Sequence, residues 1–387
     1  MAVIRLPSGK SGLLPYELGA ARPLPQRASG PFNRIALAAA HVVADPLADS
    51  DPWLDARLDW DATLAYRRHL WGLGLGVAEA MDTAQRGMGL DWPTSLELIR
   101  RSVEAGRDIP GAVIFSGAGT DQLAPGAHRI DAVAAAYEEQ AASIEGAGGR
   151  IILMASRALA AAARGPEDYA RIYGRILGQV KDKVILHWLG DMFDPALAGY
   201  WGDSDLDRAS AVALDIIAAN AARIDGVKVS LLDKAREIAL RRRLPEGVRM
   251  YTGDDFDYAE LIAGDARGHS DALLGIFDAI APAAAAALGA LARGGDHEFH
   301  AILAPTVKLS RHIFKAPTRF YKTGIVFMAY LNGHQRHFTM VGGQQSARSL
   351  PHLAELFRLA DAAGLLADPD LAASRMRAVL RLHGVEA

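Results

Sequence analysis

The chain has 387 residues, half of them apolar and 22% charged, and its 42 Lys+Arg nearly balance 45 Asp+Glu. That composition excludes a disordered chain and argues against a nucleic-acid binder acting through a global basic field. The absence of cysteine removes disulfide scaffolds, thiolate nucleophiles, Cys-based zinc sites and iron–sulfur clusters.

In chain order, Met1–Pro31 scatters Arg5, Lys10 and Arg22 among Pro and Gly without an apolar h-region. It does not read as a signal peptide, and residues 1–33 are expected to strap across the surface of the main domain. Short apolar runs then alternate with longer helical patterns. Ile35–Val43 reads as a strand before a helix over Asp61–Leu73, and Val77–Met81 precedes one near Pro93–Ala105. Ala112–Phe115 leads to Ile130–Ile144, Arg150–Met154 to Pro166–Val180, and Val184–Trp188 to Leu206–Ile224. Gly226–Val229 leads to Asp233–Leu244, Val248–Thr252 to Tyr258–Ala263, and Ala272–Ile276 to Pro282–Leu291. Asp61, Asp131 and Pro166 with Glu167 and Asp168 mark helix starts.

The strand segments are continuous apolar runs, as in strands covered on both faces. Eight strand–helix units in roughly 260 residues predict a TIM (β/α)8 barrel over 34–294, with a doubly wound sheet as the alternative. Residues 295–387 read as a helical extension: His297–Leu309, Tyr321–Leu331, Pro351–Ala363 and Pro369–Leu382, with a Gly/Gln loop at Val341–Ser349. The Ala279–Ala292 run is too short to span a bilayer and holds Pro282 and Gly289. A soluble cytoplasmic protein with no membrane or nucleic-acid partner is expected.

Barrel chemistry sits at the C-terminal ends of the strands. The residues closing the runs are His41 and Asp45; Asp82, Thr83 and Gln85; Ser116 to Thr120; Ser156 and Arg157; His187 and Asp191; Lys228 and Ser230; Thr252, Asp254 and Asp255; and Gly275. Lys228 is the sharpest of these, standing inside Asp225-Gly226-Val227-Lys228-Val229-Ser230. A desolvated lysine tends to lose its proton and becomes an amine nucleophile towards carbonyls. The competing reading is a lysine that snorkels out at the strand end.

Gly226-Val227-Lys228 is followed by Leu244-Pro245-Glu246-Gly247-Val248 and then Thr252-Gly253-Asp254-Asp255. This order resembles the dihydrodipicolinate synthase / N-acetylneuraminate lyase superfamily over roughly residues 34–300. There a Gly-Ile-Lys strand carries a Schiff-base lysine and a Ser-Gly-Asp-Asp type turn comes one unit later. Leu58-Asp59-Trp60-Asp61 and Asp271–Phe277 resemble the family's first helix entry and eighth strand. The resemblance implies a class I aldolase-like lyase with Lys228 as the Schiff-base residue. It implies no cofactor or metal, a small carbonyl substrate, and a homodimer or homotetramer. It places Met81-Asp82-Thr83-Ala84-Gln85 where the family has the carboxylate-binding Gly-Thr-Thr-Gly-Glu. It places His187 where the family has a proton-shuttling tyrosine. Ser156 and Arg157 stand near the family's strand-4 tyrosine pair, and Val229 where many relatives are acidic. An ionised Asp82 would repel a carboxylate and suit a hydroxyl-rich, sugar-derived substrate. Ser116, Ser230, Asp254 and Gly275 complete the expected substrate site with Asp82, Thr83 and Gln85.

Two other readings compete. A metal-dependent barrel lyase or isomerase could use Asp45, Asp82, His187 and Asp191, although no HxH or HExxH spacing occurs in the barrel. A barrel that lost its chemistry could bind a ligand. Ser116–Thr120 reads as a tight turn rather than a phosphate cradle. The basic, aromatic segment Arg311–Lys322 reads as a lid or subunit contact. The histidine pairs 297/300 and 334/337 read as incidental.

Overall fold

The computed structural model describes every residue except Met1, Lys10, Ser11, Gln26, Ser29 and Ala387. Two strands precede the barrel, β1 (Val3–Pro7) and β2 (Leu13–Glu17), paired antiparallel. The barrel strands are β3 (Ala36–Ala39), β4 (Gly76–Glu79), β5 (Ile114–Ala118), β6 (Arg150–Leu153), β7 (Val184–Leu189), β8 (Ile224–Ser230), β9 (Arg249–Thr252) and β10 (Asp271–Leu274). All eight are parallel, and β10 closes onto β3. The expectation of a (β/α)8 barrel is met.

The helices up to the end of the barrel are α1 (Trp60–Gly72), α2 (Trp92–Arg107), α3 (Ile130–Gly146), α4 (Arg157–Ala162), α5 (Pro166–Leu177), α6 (Leu206–Ala219), α7 (Lys234–Arg241), α8 (Tyr258–Ala263), α9 (Ile276–Ala279) and α10 (Ala281–Ala292). The extension adds α11 (Asp296–Ile313), α12 (Tyr321–Leu331), α13 (Leu350–Ala362) and α14 (Pro369–Leu382).

Alternation along the strands splits the core into two layers. Leu37, Ala78, Phe115, Ile152, Ile185, Tyr251 and Leu273 fill the barrel interior. Their neighbours, such as Val77, Leu186, Val227 and Leu274, pack outwards against the helices. The outer layer is also pinned by a buried ion pair: Arg67 Nη2 meets Glu79 Oε1 at 2.8 Å and Arg67 Nε meets Oε2 at 2.9 Å.

The ends of elements differ from expectation for local reasons. The cap of α1 is Asp59, whose side chain accepts the Ala62 N–H, while Asp61 sits in the first turn. The helix expected up to Ile224 stops at Ala219, and β8 begins at Ile224. The strand expected up to Ile276 stops at Leu274, and Gly275, expected within it, has helical dihedrals and precedes α9. The short helices α4 and α9 carry no periodic signal of their own, and Val341–Ala347 forms short helical turns with Gly342 and Gly343 at positive φ.

The N-terminal segment lies on the extension. Tyr16 donates to Asp361 Oδ2 at 2.7 Å, and Arg358 donates to the Pro7 carbonyl at 2.6 Å. α12 is apolar around its circumference, and all its residues are buried. It packs against α9 and the Asp82–Ala84 turn, at the C-terminal face of the barrel. No helix among the described residues is long and apolar enough to cross a membrane.

Candidate active site

Val227 and Val229 face the helices, so Gly226, Lys228 and Ser230 face the barrel axis. At Gly226 the space a side chain would take is filled by the Tyr251 ring, which forms a floor. Lys228 lies above it, in register with His187 on β7 and Tyr251 on β9. Its side chain is buried, and among the described residues its ammonium has no hydrogen bond or ion pair. Burial pulls its pKa below the ordinary lysine value, with Asp255 and Asp82 pulling weakly the other way.

His187 is also inward-facing and buried, with Nε2 3.3 Å from Ser230 Oγ. Burial, and then the Lys228 charge, hold its pKa well below the ordinary histidine value. The imidazole is therefore neutral, with one nitrogen free to accept a proton.

The two carboxylates after β9 divide their tasks. Asp254 Oδ1 accepts the Phe256 and Asp257 N–H groups at 2.8 and 3.0 Å, closing the turn. Asp255 faces the lysine's field and accepts the Ile276 N–H at 2.8 Å. Burial pushes its pKa up to about 7, against the lowering effect of Lys228. Asp255 rather than Asp254 is thus the carboxyl coupled to the amine.

The turn after β4 carries left-handed residues at Ala80 and Gln85. Its Thr83 Oγ1 lies 2.8 Å from the Tyr321 hydroxyl at the start of α12. Gly275 meets both: a Cβ there would stand 3.2 Å from the Tyr321 ring and 3.5 Å from Thr83 Oγ1. Phe314 stacks on Tyr321 with centroids 4.3 Å apart. Burial, and then Asp82, raise the Tyr321 pKa far above the ordinary phenol value, so the hydroxyl keeps its proton.

A cavity of about 630 Å³ opens at the C-terminal ends of β4 to β7, lined by Asp82, Met154, His187 and Leu189. Its walls carry two ion pairs, Arg86–Asp121 and Arg157–Asp194. Arg86 is fully committed, donating also to the Gly117 carbonyl at 2.8 Å and to Gln140 Oε1 at 2.9 Å. Lys322, buried next to Tyr321, is lowered to about 8 by burial.

The structure therefore brings Lys228, His187 and Ser230 together, and Thr83 with Gly275; Asp82 lines the adjoining cavity. Three other expected binding residues, Ser116, Gln85 and Asp254, make contacts or face directions of their own. Ser116 is in mid-strand, because β5 runs on to Ala118. It alternates with the inward Phe115 and Gly117 and so faces away from the lysine. The Gln85 amide donates to the Val341 carbonyl at 2.7 Å and anchors the extension. Asp254 gives Oδ1 to its turn, while its Oδ2 is buried without a partner among the described residues. The Gly119 amide donates to Gln140 Oε1 at 2.7 Å, so the Ser116–Thr120 turn is held internally. Among the described residues no three His, Asp or Glu side chains converge as a metal site. Asp255 belongs to the Asp254-Asp255 pair that the sequence singles out, whereas Tyr321 is not among the expected binding residues. The only sequence signal for Tyr321 is the basic, aromatic segment 311–322.

The closed eight-stranded parallel barrel with its helical extension is shared with the dihydrodipicolinate synthase structures. A dihydrodipicolinic acid synthase family protein from an E. coli K12 prophage, solved with pyruvate, matches with TM-score 0.67 and 15% identity, covering 86% of this chain and 99% of that one. Dihydrodipicolinate synthase from Bacillus clausii matches with TM-score 0.63 and 14% identity over 85% and 97%. The Aquifex aeolicus enzyme matches with TM-score 0.60 and 11% identity over 91% and 98%. The chain belongs to the family described as "Protein of unknown function (DUF993)", which matches residues 4–385. No curated protein matches it.

Proposed function

We propose that the protein is a class I aldolase-like lyase acting on a small carbonyl compound through a Schiff base on Lys228. The observation that carries this reading is a buried lysine on the inward face of β8, free of carboxylate contact among the described residues and in register with His187, which lines the adjoining cavity. Likeness in fold to the dihydrodipicolinate synthase structures supports it.

In this mechanism the neutral Lys228 Nζ attacks the substrate carbonyl carbon. The carbinolamine loses water to give a protonated iminium. The bond between the adjacent carbon and the departing fragment then breaks; its electron pair forms the enamine double bond as the fragment's hydroxyl gives up its proton and the fragment leaves as a second carbonyl compound. A proton then returns to the enamine carbon, and water releases the product and the amine. His187 accepts a proton at its free nitrogen, relayed through Ser230, and the Thr83–Tyr321 hydroxyl pair supplies one on the opposite wall. Asp255 is protonated at acid pH and ionised above about 7, so it stabilises the iminium charge in the upper range. Asp82 at the chamber edge favours substrate hydroxyls over a second carboxylate, which points to a sugar-derived carbonyl compound beside simple 2-oxo acids.

The test is borohydride trapping across 2-oxo acids and sugar-acid derivatives, read by intact mass and peptide mapping. An adduct on Lys228 with at least one member is expected. No adduct with any member overturns the assignment.

A further inference from the structure

Eight large apolar side chains are exposed among the described residues, and six of them fall in two places. Leu47, Trp53 and Leu54 stand on the loop between β3 and α1. Val3, Leu14 and Leu382 stand on the β1–β2 hairpin and at the end of α14. Single exposed apolar residues are ordinary, whereas clusters of them mark contact surfaces.

The first cluster is acidic. Residues 45–58 carry Asp45, Asp49, Asp51 and Asp55 against one cation, Arg57. None of the four carboxylates makes an ion pair among the described residues, whereas other surface carboxylates such as Asp203 and Asp257 do. The loop is folded on itself. Its base is closed by the Asp45 N–H on the Arg57 carbonyl at 2.8 Å, and the Leu54 and Asp55 N–H groups reach the Asp51 carbonyl at 2.9 and 3.0 Å. The Trp53 indole rests against Gly343, where a Cβ would stand 3.4 Å from Nε1. Even so, Leu47, Trp53 and Leu54 are 92%, 78% and 81% exposed, so a formed turn holds them outward.

The second cluster is basic. Along β1, Ile4 and Leu6 are buried and the strand packs on α13 and α14, while Val3 and Arg5 are exposed. Arg377 donates to the Val3 carbonyl, which brings α14 beside the strand. Arg381 follows one helical turn later, next to the exposed Leu382. Arg5, Arg377 and Arg381 make no ion pair among the described residues, and Glu17, paired with Val3, is the one carboxylate described on the hairpin. Within the chain, no hydrogen bond among the described residues joins this patch to the 45–55 loop.

We propose that the acidic loop of one copy of this chain docks on the basic hairpin–α14 patch of a second copy. In a two-fold pair each copy gives its loop and receives its partner's, so the contact is made twice and closes. Trp53 and Leu54 meet Val3 and Leu382 at its centre, and Asp49 and Asp51 meet Arg5 and Arg381 at its rim. An apolar centre with complementary charges around it is the usual make-up of a specific interface. None of these residues lines the cavity beside His187, so the contact is independent of the chemistry at Lys228.

Sedimentation equilibrium of the full chain with two charge-reversed variants tests this. The native protein is expected to sediment as an even-numbered assembly of the 41.3 kDa chain. Asp49→Arg with Asp51→Arg, and separately Arg5→Glu with Arg381→Glu, are each expected to sediment at half the native mass, with dissociation at least about 100-fold easier. Mixing the two variants in equal amounts is expected to restore the native mass. In the mixed pair every reversed loop can face a reversed patch and every native loop a native patch, and recovery shows that both variants are folded. A monomeric native protein overturns the proposal. So does either variant keeping the native mass, or a mixture that stays at half of it.

Discussion

Gly253 packs directly against Lys228: a Cβ on the glycine would meet the lysine Cε at 2.8 Å. The same Cβ would also meet Ser230 Oγ and, at 2.7 Å, the Val229 carbonyl, so any larger residue shifts β8 together with the lysine it carries. Gly253→Ala is expected to lower the thermal midpoint and, in the protein that remains folded, to slow borohydride trapping by about 100-fold, the cost of an ångström-scale misplacement. Trapping at the native rate would show that the amine is not positioned by this contact.

The Thr83–Tyr321 pair should act as a unit. Tyr321→Phe and Thr83→Val are each expected to lower turnover by about 10²-fold while leaving Lys228 trappable, because iminium formation precedes the proton step. The double variant should be no slower than the worse single variant, since residues in one relay are not additive. Steady-state kinetics beside trapping yields distinguishes this from a purely structural role, which would reduce both.

A pH dependence of stability arises from Glu237 on α7. It is buried and accepts from Thr252 at 2.9 Å and Ser270 at 2.7 Å. Burial raises its pKa from 4.5 to about 8. The folded state therefore holds this proton more tightly than the unfolded chain does. The stabilisation is complete below pH 4.5 and is lost as the pH rises through about 8. Asp255 acts in the same direction up to about pH 7. Buried histidines such as His187 and His334 act in the opposite direction up to about pH 6.5, so the variant is read against the native protein: the thermal midpoint of Glu237→Gln is expected to gain on the native value as the pH rises from 4.5 to 8.

The buried Arg67–Glu79 pair gives a prediction for folding. Arg67 also donates to the Thr63 carbonyl, and Ser102 donates to Glu79. Arg67→Met leaves the carboxylate buried without its cation, at a cost of about 3–5 kcal/mol. Adding Glu79→Leu removes the stranded charge and should recover part of that loss. Urea unfolding of the two variants measures both steps.

Lys228 is legible in the sequence because a lysine inside a continuous apolar run has few places to go. The barrel is legible for a related reason, since doubly covered strands leave unbroken apolar segments at regular spacing. Tyr321 is not legible in its role. It meets Thr83 from 238 positions away, and no local periodicity encodes such a contact. The choice between Asp254 and Asp255 depends on which carboxyl the turn after β9 consumes, a matter of dihedral angles rather than residue type. Ser116 is misplaced by sequence reasoning because its polar side chain suggests the end of a strand that in fact continues to Ala118. The β1–β2 hairpin is hidden by Pro7 and Pro15, which disguise the alternation of an edge pair.

α12 covers the turn after β4 with a late part of the chain, and Tyr321 reaches Thr83 there. That turn, which bears Asp82 and Thr83, keeps an unpartnered hydroxyl at its tip until synthesis has passed Tyr321. The order in which the ribosome delivers the chain thus makes this side of the barrel mouth one of the last parts of the molecule to close.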